Sequence, residues 1–218
     1  IYENTSGSWT QIGQDIDGEA ASDNSGLSVS LSSDGNTVGI GAIGNDGNGT
    51  GSGHVRIYEN TSGSWSQIGQ DINGEAAGDM SGRSVSLNSD GGIVAIGARY
   101  NDGNGNNSGH VRIYENTSGT WTQIGQDIDG EAADNYSGRS VSLSSDGDII
   151  AIGAEDNGNG SEAGLIRVYD ISIRCSDLGC LDSLALNFDP YATVSDSSCL
   201  YITNIGCTDS TALNYNSQ

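Results

Sequence analysis

A single period organises most of the chain. Trp9, Trp65 and Trp121 stand 56 residues apart, and the segment from Ser8 to Asn60 recurs with few changes from Ser64 to Asn116. A third copy runs from Thr120 to about Asp170. Self-similarity at this period is typical of a chain built from successive copies of one supersecondary unit.

Each copy predicts four short β-strands. In Ser28–Ser32 polar and apolar residues alternate, which places Val29 and Leu31 on one face of a strand, and Asp34-Gly35 follows as a hairpin turn. The other predicted strands are Thr37–Ala42, Val55–Tyr58 and Trp65–Ile68. Since no stretch has a helical period, we expect an all-β fold of four-stranded, β-propeller-type blades, with a β-helix as the second choice.

The repeats resemble a known family at several positions. Ser25–Leu31, Gly41-Ala42 and Gly53–Tyr58 resemble FG-GAP repeats, the blades of integrin-α-type β-propellers, although Ser stands for the Phe of the Phe-Gly pair and Ile43, Arg99 and Glu155 stand for the Pro of Gly-Ala-Pro. The resemblance covers about residues 1–172. The repeats are similar to a variant found in large surface proteins of marine bacteria and algae, and the resemblance implies a propeller-type fold.

These repeats predict a division of the chain. We expect the last strand of a preceding blade at 1–6, followed by blades at 7–60, 61–116 and 117–172. Three blades are too few to close a ring. We therefore expect further blades before Ile1, blades from other chains, or an open stack. An unpaired edge strand attracts another strand, so Ile1–Asn4 could be a strand exchanged between chains.

A second repeat follows at 173–218. Gly179–Asp189 matches Gly206–Asn216 at a spacing of 27, and this pattern resembles short cysteine-containing modules that occur in tandem on marine surface proteins. Modules this small need a covalent staple. We expect a Cys180–Cys199 disulfide, with Cys207 joined to Cys175 or to a cysteine beyond Gln218. Zinc is the alternative, but no Cys-x-x-Cys pair or nearby histidine favours it.

The charge of the chain limits its partners. The chain carries 29 Asp and Glu against seven arginines and no lysine, a formal charge of −22. Such a surface repels phosphate, so we expect no nucleic acid and no anionic membrane as partner. No apolar run is long enough to span a bilayer. Together with the expected disulfides, this predicts a secreted or cell-surface protein.

Two sets of acidic loops are candidate calcium sites, because carboxylate and amide oxygens suit that ion. One set follows the second strand of each copy, in the Asn-Asp-Gly-Asn-Gly loops and their shorter third version; its candidate ligands are Asp46, Asn48, Asp102, Asn104, Asp156 and Asn157. The other set precedes the first strand; its candidate ligands are Asp15, Asp17, Asp71, Asp127 and Asp129, with Glu19, Asp23, Glu75 and Glu131 nearby. The alternatives are an ordinary turn for the first set and a solvated acidic loop for the second.

Other repeated residues favour structural roles. We expect His54 and His110 to pack at the start of a strand without forming a metal-binding or catalytic set, and the three tryptophans to pack between blades. Asparagine sequons recur at Asn4, Asn60 and Asn116, which predicts a regular row of glycans if the source is eukaryotic.

The expected function is structural. No nucleophile stands beside a base, and no phosphate-binding glycine loop follows a strand, so we expect no enzyme. The leading hypothesis is an extracellular adhesion or structural protein, a repeat component of a cell-surface appendage, filament or matrix that associates with itself or with other surface proteins. The alternatives are a closed propeller that recognises a protein or glycan ligand, and an attachment module of a larger secreted enzyme.

Overall fold

The structure is a computed structural model and describes residues 1–156, 163–172, 178–179 and 194–195. The chain forms two compact units, Ile1–Ile171 and Ser172–Gln218. In the first unit the strands are β1 (Tyr2–Thr5), β2 (Ser8–Gln11), β3 (Ser28–Leu31), β4 (Thr37–Ala42), β5 (His54–Thr61), β6 (Ser64–Gln67), β7 (Ile72–Asn73), β8 (Ser84–Leu87), β9 (Ile93–Ala98), β10 (His110–Thr117), β11 (Thr120–Gln123), β12 (Ile128–Asp129), β13 (Ser140–Leu143), β14 (Ile149–Ala154) and β15 (Leu165–Asp170).

Successive strands pair antiparallel into blade-like sheets, which confirms the predicted fold class. The first sheet has the order β3-β4-β5-β6, with β7 also pairing with β5, and the second repeats it as β8-β9-β10-β11, with β12 on β10. The third sheet has the order β13-β14-β15, and β1 pairs with β2. We call these three sheets blades 1, 2 and 3.

The sheets are offset from the predicted divisions 1–6, 7–60, 61–116 and 117–172. The tryptophan strand β6 pairs with β5 of the strands that precede it, Asn60 facing Trp65. In the same way β2 continues the hairpin that β1 begins. A hairpin of two adjacent strands pairs locally, so each tryptophan strand closes the outside of one blade and does not open the next.

The hairpin between β5 and β6 explains the recurrent asparagine. Asn60 Oδ1 accepts a hydrogen bond of 2.8 Å from the Gly63 amide, and Ser62 and Gly63 have positive φ angles of 54° and 87°. Such a turn matches the twist of the flanking strands. The same bond, Gly7 to Asn4 and Gly119 to Asn116, recurs in the other two copies. Glycosylation of these asparagines stays a prediction.

The core lies between blades. Val55 and Ile57 of blade 1 pack with Val85, Leu87 and Ile96 of blade 2 in one buried cluster. A corresponding cluster joins blades 2 and 3; it contains Val111, Ile113, Ile150 and Ile152. The first strands β3, β8 and β13 lie next to one another. Since each apolar face is buried by the next blade, a blade depends on its neighbour for its core.

Hydrogen bonds between the first strands fix how the blades stack. The Leu87 amide donates to Ser30 Oγ over 2.9 Å, and Ser28 Oγ donates to the Gly82 carbonyl over 2.7 Å. The same two bonds occur one blade later; they join Leu143 to Ser86 and Ser84 to Gly138. The serines of the Ser-Val-Ser-Leu strand therefore face the following blade, while its Val and Leu face the preceding one.

The second unit contributes β16 (Leu178–Gly179) and β17 (Val194–Ser195), which pair in parallel. All four cysteines, Cys175, Cys180, Cys199 and Cys207, lie outside the described residues, so the expected disulfide stays a prediction. Within the described part of the chain, no helix combines the length and apolarity that a bilayer crossing requires.

The close approach of blades 2 and 3 generates a test. A Cβ on Gly97 would lie 2.1 Å from the Gly138 carbonyl oxygen of the next blade, whereas a Cβ on Gly153 would meet only Ser140 of its own blade. Overpacking of this kind costs about 1–3 kcal/mol or more. We expect Gly97→Ala to lower the urea-derived free energy of unfolding by that amount. Gly153→Ala is the matched control, and an equal loss in both variants would contradict the packing described.

Candidate functional site

Carboxylates and histidines gather at two equivalent places among the described residues. Glu19, His54 and Asp71 form one group, whose candidate ligand atoms all lie within 4.8 Å of one another. His54 Nδ1 is 3.8 Å from Glu19 Oε2 and 3.9 Å from Asp71 Oδ2. Glu19 lies on the connection into blade 1, His54 begins β5, and Asp71 lies between β6 and β7. The fold thus joins residues that are distant in sequence.

The second group repeats the first one blade later. It contains Glu75, His110 and Asp127. His110 Nδ1 is 3.8 Å from Glu75 Oε2 and 3.4 Å from Asp127 Oδ2. We call the two groups the Glu–His–Asp clusters.

In each carboxylate of these clusters, the oxygen farther from the histidine contacts a neighbouring arginine or glutamine side chain. Arg112 Nη1 lies 3.5 Å from Glu75 Oε1, while Arg112 Nη2 donates to the Asn73 carbonyl over 2.7 Å. Gln123 Nε2 donates to Asp127 Oδ1 over 2.7 Å. In the first cluster Arg56 and Gln67 make the equivalent contacts to Glu19 and Asp71. The second oxygen of each carboxylate faces the histidine, and in the first cluster that oxygen of Glu19 also accepts a hydrogen bond of 3.4 Å from Asn45 Nδ2.

Burial controls the protonation of the histidines. Both rings are only 1% exposed, and burial lowers the pKa of His54. For His110, burial, reinforced by the Arg112 charge, lowers the pKa to about 4. Burial also raises the pKa of Glu75, against the opposing effect of Arg112. At neutral pH the imidazoles are therefore uncharged, and their lone pairs are available to a ligand.

Both histidines leave polar atoms without a hydrogen bond. Neither His54 Nδ1 nor His110 Nδ1 has a hydrogen-bond partner within the described part of the chain, and His54 Nε2 also lacks one. An unsatisfied buried polar group costs about 1–3 kcal/mol. The clusters are thus less stable than they could be, which is a common property of functional sites.

The third blade lacks the histidine. Leu165 occupies the corresponding position, since it pairs with Ala154 as His110 pairs with Ala98. The arginine–glutamate contact is nevertheless retained between Arg167 and Glu131. Blade 3 therefore has the equivalent arginine and glutamate but no imidazole at this position.

Sequence reasoning missed these clusters. It predicted correctly that the histidines are buried at the start of a strand, but it assigned them to no metal-binding set. It also expected the acidic residues of one copy, such as Asp15, Asp17 and Glu19, to group together. The structure instead joins Glu19 to the Asp71 of the following copy. The available signal was that Glu, His and Asp all recur with the same spacing of 56.

The other acidic candidates are engaged elsewhere. Asp15 Oδ1 accepts from Gln11, and Asp17 supplies its backbone carbonyl to Arg56. Burial raises the pKa of Asp129, with the nearby Asp127 charge adding to the shift. Calcium at these residues stays a prediction.

The oxygens and amides of the Asn-Asp-Gly-Asn-Gly loops make hydrogen bonds within the protein. Asp46 Oδ1 accepts from the Gly51 amide over 2.8 Å, and Asn48 Nδ2 donates to the Gly74 carbonyl over 2.8 Å. Asp102 and Asn104 make the corresponding bonds to Asn107 and Gly130. The asparagine bonds tie each loop to the connection that leads into the next blade, whereas the aspartate bonds lie within the loop. Asn157 lies outside the described residues, and calcium binding at Asp46, Asp102 and Asp156 stays a prediction.

A second feature lies on the two outer blades. Val85 and Leu87 in β8 are 8% and 7% exposed, whereas their counterparts Val29 and Leu31 in β3 are 63% and 50% exposed. We call Val29 and Leu31, with the open groove of about 310 Å³ that they line beside Val38, Ile40 and Trp65, the leading face.

The opposite side of the array is also open. Val111 and Ile113 in β10 are 0% and 4% exposed, but the equivalent Ile166 and Val168 in β15 are 77% and 65% exposed. We call Ile166 and Val168 the trailing face. Both open faces thus carry side chains whose counterparts are buried or half-buried where two blades meet.

Two of the three tryptophans pack as expected. Trp121 is buried in the cluster between blades 1 and 2, and its Nε1 donates to the Ile68 carbonyl over 2.9 Å. Trp65 Nε1 donates a hydrogen bond to the Ile12 carbonyl over 3.1 Å. Trp9, on the outermost hairpin of the leading side, is 69% exposed.

The geometry of the second blade agrees with a sequence match. Residues 73–114, which run from β7 to β10, match the FG-GAP repeat family. This segment of the chain is therefore an FG-GAP repeat by sequence. The resemblance drawn from Ser-Gly, Gly-Ala and Gly-His-Val-Arg-Ile-Tyr is therefore confirmed, although the modules of the C-terminal unit are not. No curated protein matches the sequence.

Solved structures share the blade arrangement at low identity. One is a Bacteroides uniformis protein with a suggested 6-phosphogluconolactonase activity, at 16% identity and a TM-score of 0.45, over 65% of this chain and 35% of that one. A second is a periplasmic gluconolactonase of Pseudomonas aeruginosa, at 18% identity and a TM-score of 0.42, over 66% of this chain and 38% of that one. A third is the hydrazine synthase of Kuenenia stuttgartiensis, at 14% identity and a TM-score of 0.36, over 66% of this chain and 37% of that one. The chain spans little more than a third of the length of these proteins.

These neighbours correct one expectation. The sequence predicted that the chain is not an enzyme, but the fold is shared with proteins that are named as gluconolactonases. The prediction that the chain is not an enzyme is therefore withdrawn. The activities in those names belong to those proteins, and at this identity the likeness shows the fold alone.

The unpaired histidines generate a second test. Because Leu165 fits this position in blade 3, we expect His110→Leu to raise the free energy of unfolding by about 1 kcal/mol in chelator-treated buffer at neutral pH, by removing an unsatisfied buried group. Urea denaturation measures the change. The reverse substitution Leu165→His is the matched comparison and should destabilise. A clear loss of stability in His110→Leu would show instead that the imidazole is stabilising in the metal-free protein.

Proposed function

We propose that this FG-GAP repeat chain is a structural or adhesive protein of the cell exterior that assembles with further copies of itself, blade to blade. The trailing face of one copy packs on the leading face of the next. The observation that carries the proposal is the exposure of four apolar side chains whose counterparts are buried between blades.

The two faces support a head-to-tail arrangement because they are the two halves of one interface. The chain forms that interface twice, between blades 1 and 2 and between blades 2 and 3, with the same serine hydrogen bonds each time. A third blade followed by the first blade of another copy repeats the same pair of surfaces. Contacts that join two different patches extend into a ring or a filament and are not limited to a dimer.

The energetics also favour association. Full burial of one Val, Leu or Ile side chain contributes about 1.5–3 kcal/mol, and large exposed apolar patches mark interaction surfaces. Ser142 in β13 corresponds to Ser30 and Ser86, whose hydroxyls accept from the next blade. A second copy would therefore supply both apolar contacts and a hydrogen-bond partner that match this surface.

A mixing experiment tests the direction of assembly. We expect the 218-residue chain to form larger species with rising concentration in sedimentation velocity. Val29→Asp blocks the leading face and Val168→Asp blocks the trailing face, so each variant alone should stay monomeric. An equimolar mixture of the two should form a 1:1 dimer, because one intact face of each kind remains. Thr50→Asp, an exposed loop substitution away from both faces, is the control and should assemble normally.

Two outcomes would contradict the proposal. A wild-type chain that stays monomeric at all accessible concentrations would show that these faces do not join copies of this chain. Variants that still associate when kept separate would show that a different surface is used. Circular dichroism of each variant establishes that the blades remain folded.

A further inference from the structure

We propose that each Glu–His–Asp cluster binds a divalent first-row transition ion, with zinc as the reference ion, so that the chain holds two such ions. The inference is independent of the proposed assembly. It rests on a buried histidine that lacks a hydrogen-bond partner and faces two oriented carboxylates, at the same place in two blades.

The histidine supplies the main argument. In both clusters the ring is 1% exposed and its Nδ1 makes no hydrogen bond within the described residues. This nitrogen faces carboxylate oxygens at 3.4–3.9 Å, longer than the usual separation of about 2.7–3.2 Å, and it makes no hydrogen bond with any of them. Two ligands bound at about 2.1 Å to one tetrahedral ion are about 3.4 Å apart. The observed spacing therefore suits three donors around a common ion.

The surrounding side chains orient the donors. Arg112 holds one oxygen of Glu75, and Gln123 holds one oxygen of Asp127, so that the free oxygen of each points at His110. Metal-binding carboxylates in proteins are typically fixed by such outer hydrogen bonds. A solvated acidic loop would need no fixed partner for every carboxylate, and the repetition of all the contacts in the first cluster argues for a shared role.

The donor set selects the ion. Imidazole nitrogen is a preferred ligand of zinc and related ions, whereas calcium takes a shell of six to eight oxygens. One nitrogen and two carboxylate oxygens leave positions for water on a zinc-like ion. This site is therefore distinct from the calcium predicted for the Asn-Asp-Gly-Asn-Gly loops.

The location gives the ion a mechanical role. Glu75 lies on the connection that enters blade 2, His110 begins the long strand β10, and Asp127 lies between β11 and β12 of the same blade. An ion bound by all three would cross-link these segments at the start and end of each repeat. Blade 3 has Leu165 in place of the histidine, so the same cross-link is not built there.

Metal titration of the 218-residue chain tests the proposal. After removal of metal with a chelator and alkylation of any free thiols, zinc is titrated by calorimetry and cobalt by visible absorption. We expect two ions per wild-type chain, one in His54→Leu or His110→Leu, and none in the double variant. Zinc should raise the melting temperature of the wild type but not that of the double variant. Glu131→Gln in blade 3 is the matched control and should keep both sites.

A positioning substitution separates a metal site from a merely polar cluster. Gln123→Leu removes the partner of Asp127 without touching a donor, and we expect it to weaken zinc affinity at one of the two sites by roughly 10–100-fold. An absence of zinc and cobalt binding in the wild type, unchanged stoichiometry in the double histidine variant, or displacement of zinc by millimolar calcium would each overturn the assignment.

Discussion

Packing of one blade on the next is the interaction on which the rest of the structure depends. A blade has few apolar residues of its own, and the valines, leucines and isoleucines of its first three strands find partners mainly in the adjacent blade. Glycines such as Gly97 allow the backbones to approach, since a methyl group there would overlap the Gly138 carbonyl. The serine hydroxyls of β3 and β8 then fix the register between blades. Stability in such a chain is shared between neighbours and is least secure at the outer blades.

The same packing accounts for both functional proposals. The outer blades expose the surfaces that the inner ones bury, and this difference motivates assembly. Stacking also brings the connection between blades against the start of β5 or β10, where it meets a histidine. Blade stacking thus brings three positions of the chain together. In two blades these positions carry Glu, His and Asp, which form the Glu–His–Asp clusters. In blade 3, where Leu165 replaces the histidine, the Arg167–Glu131 contact persists. The arginine–glutamate contact therefore does not depend on the histidine.

Much of the fold could be predicted from the sequence because its signals are local. The alternation in Ser28–Ser32 and the turns at Asp34-Gly35 and Asn60–Gly63 depend on nearby residues, so strands and hairpins followed directly. The limits of the blades did not follow, because a repeat fixes a period but not the position where a sheet begins. The clusters were missed for a related reason. Glu19, His54 and Asp71 are 35 and 17 residues apart, and their proximity depends on how β7 and the connections lie against β5, which no local pattern encodes.

Amide hydrogen exchange at the repeated Ser-Val-Ser-Leu strands tests the central claim most directly. The Leu87 and Leu143 amides donate to serine hydroxyls of the preceding blade, whereas Leu31 occupies the same position on the leading face. We expect the Leu87 and Leu143 amides to be protected at every protein concentration. The Leu31 amide should exchange rapidly in dilute solution and become protected as concentration rises and the leading face is covered. Equal protection of all three amides in dilute solution, or rapid exchange of Leu31 at all concentrations, would contradict the account.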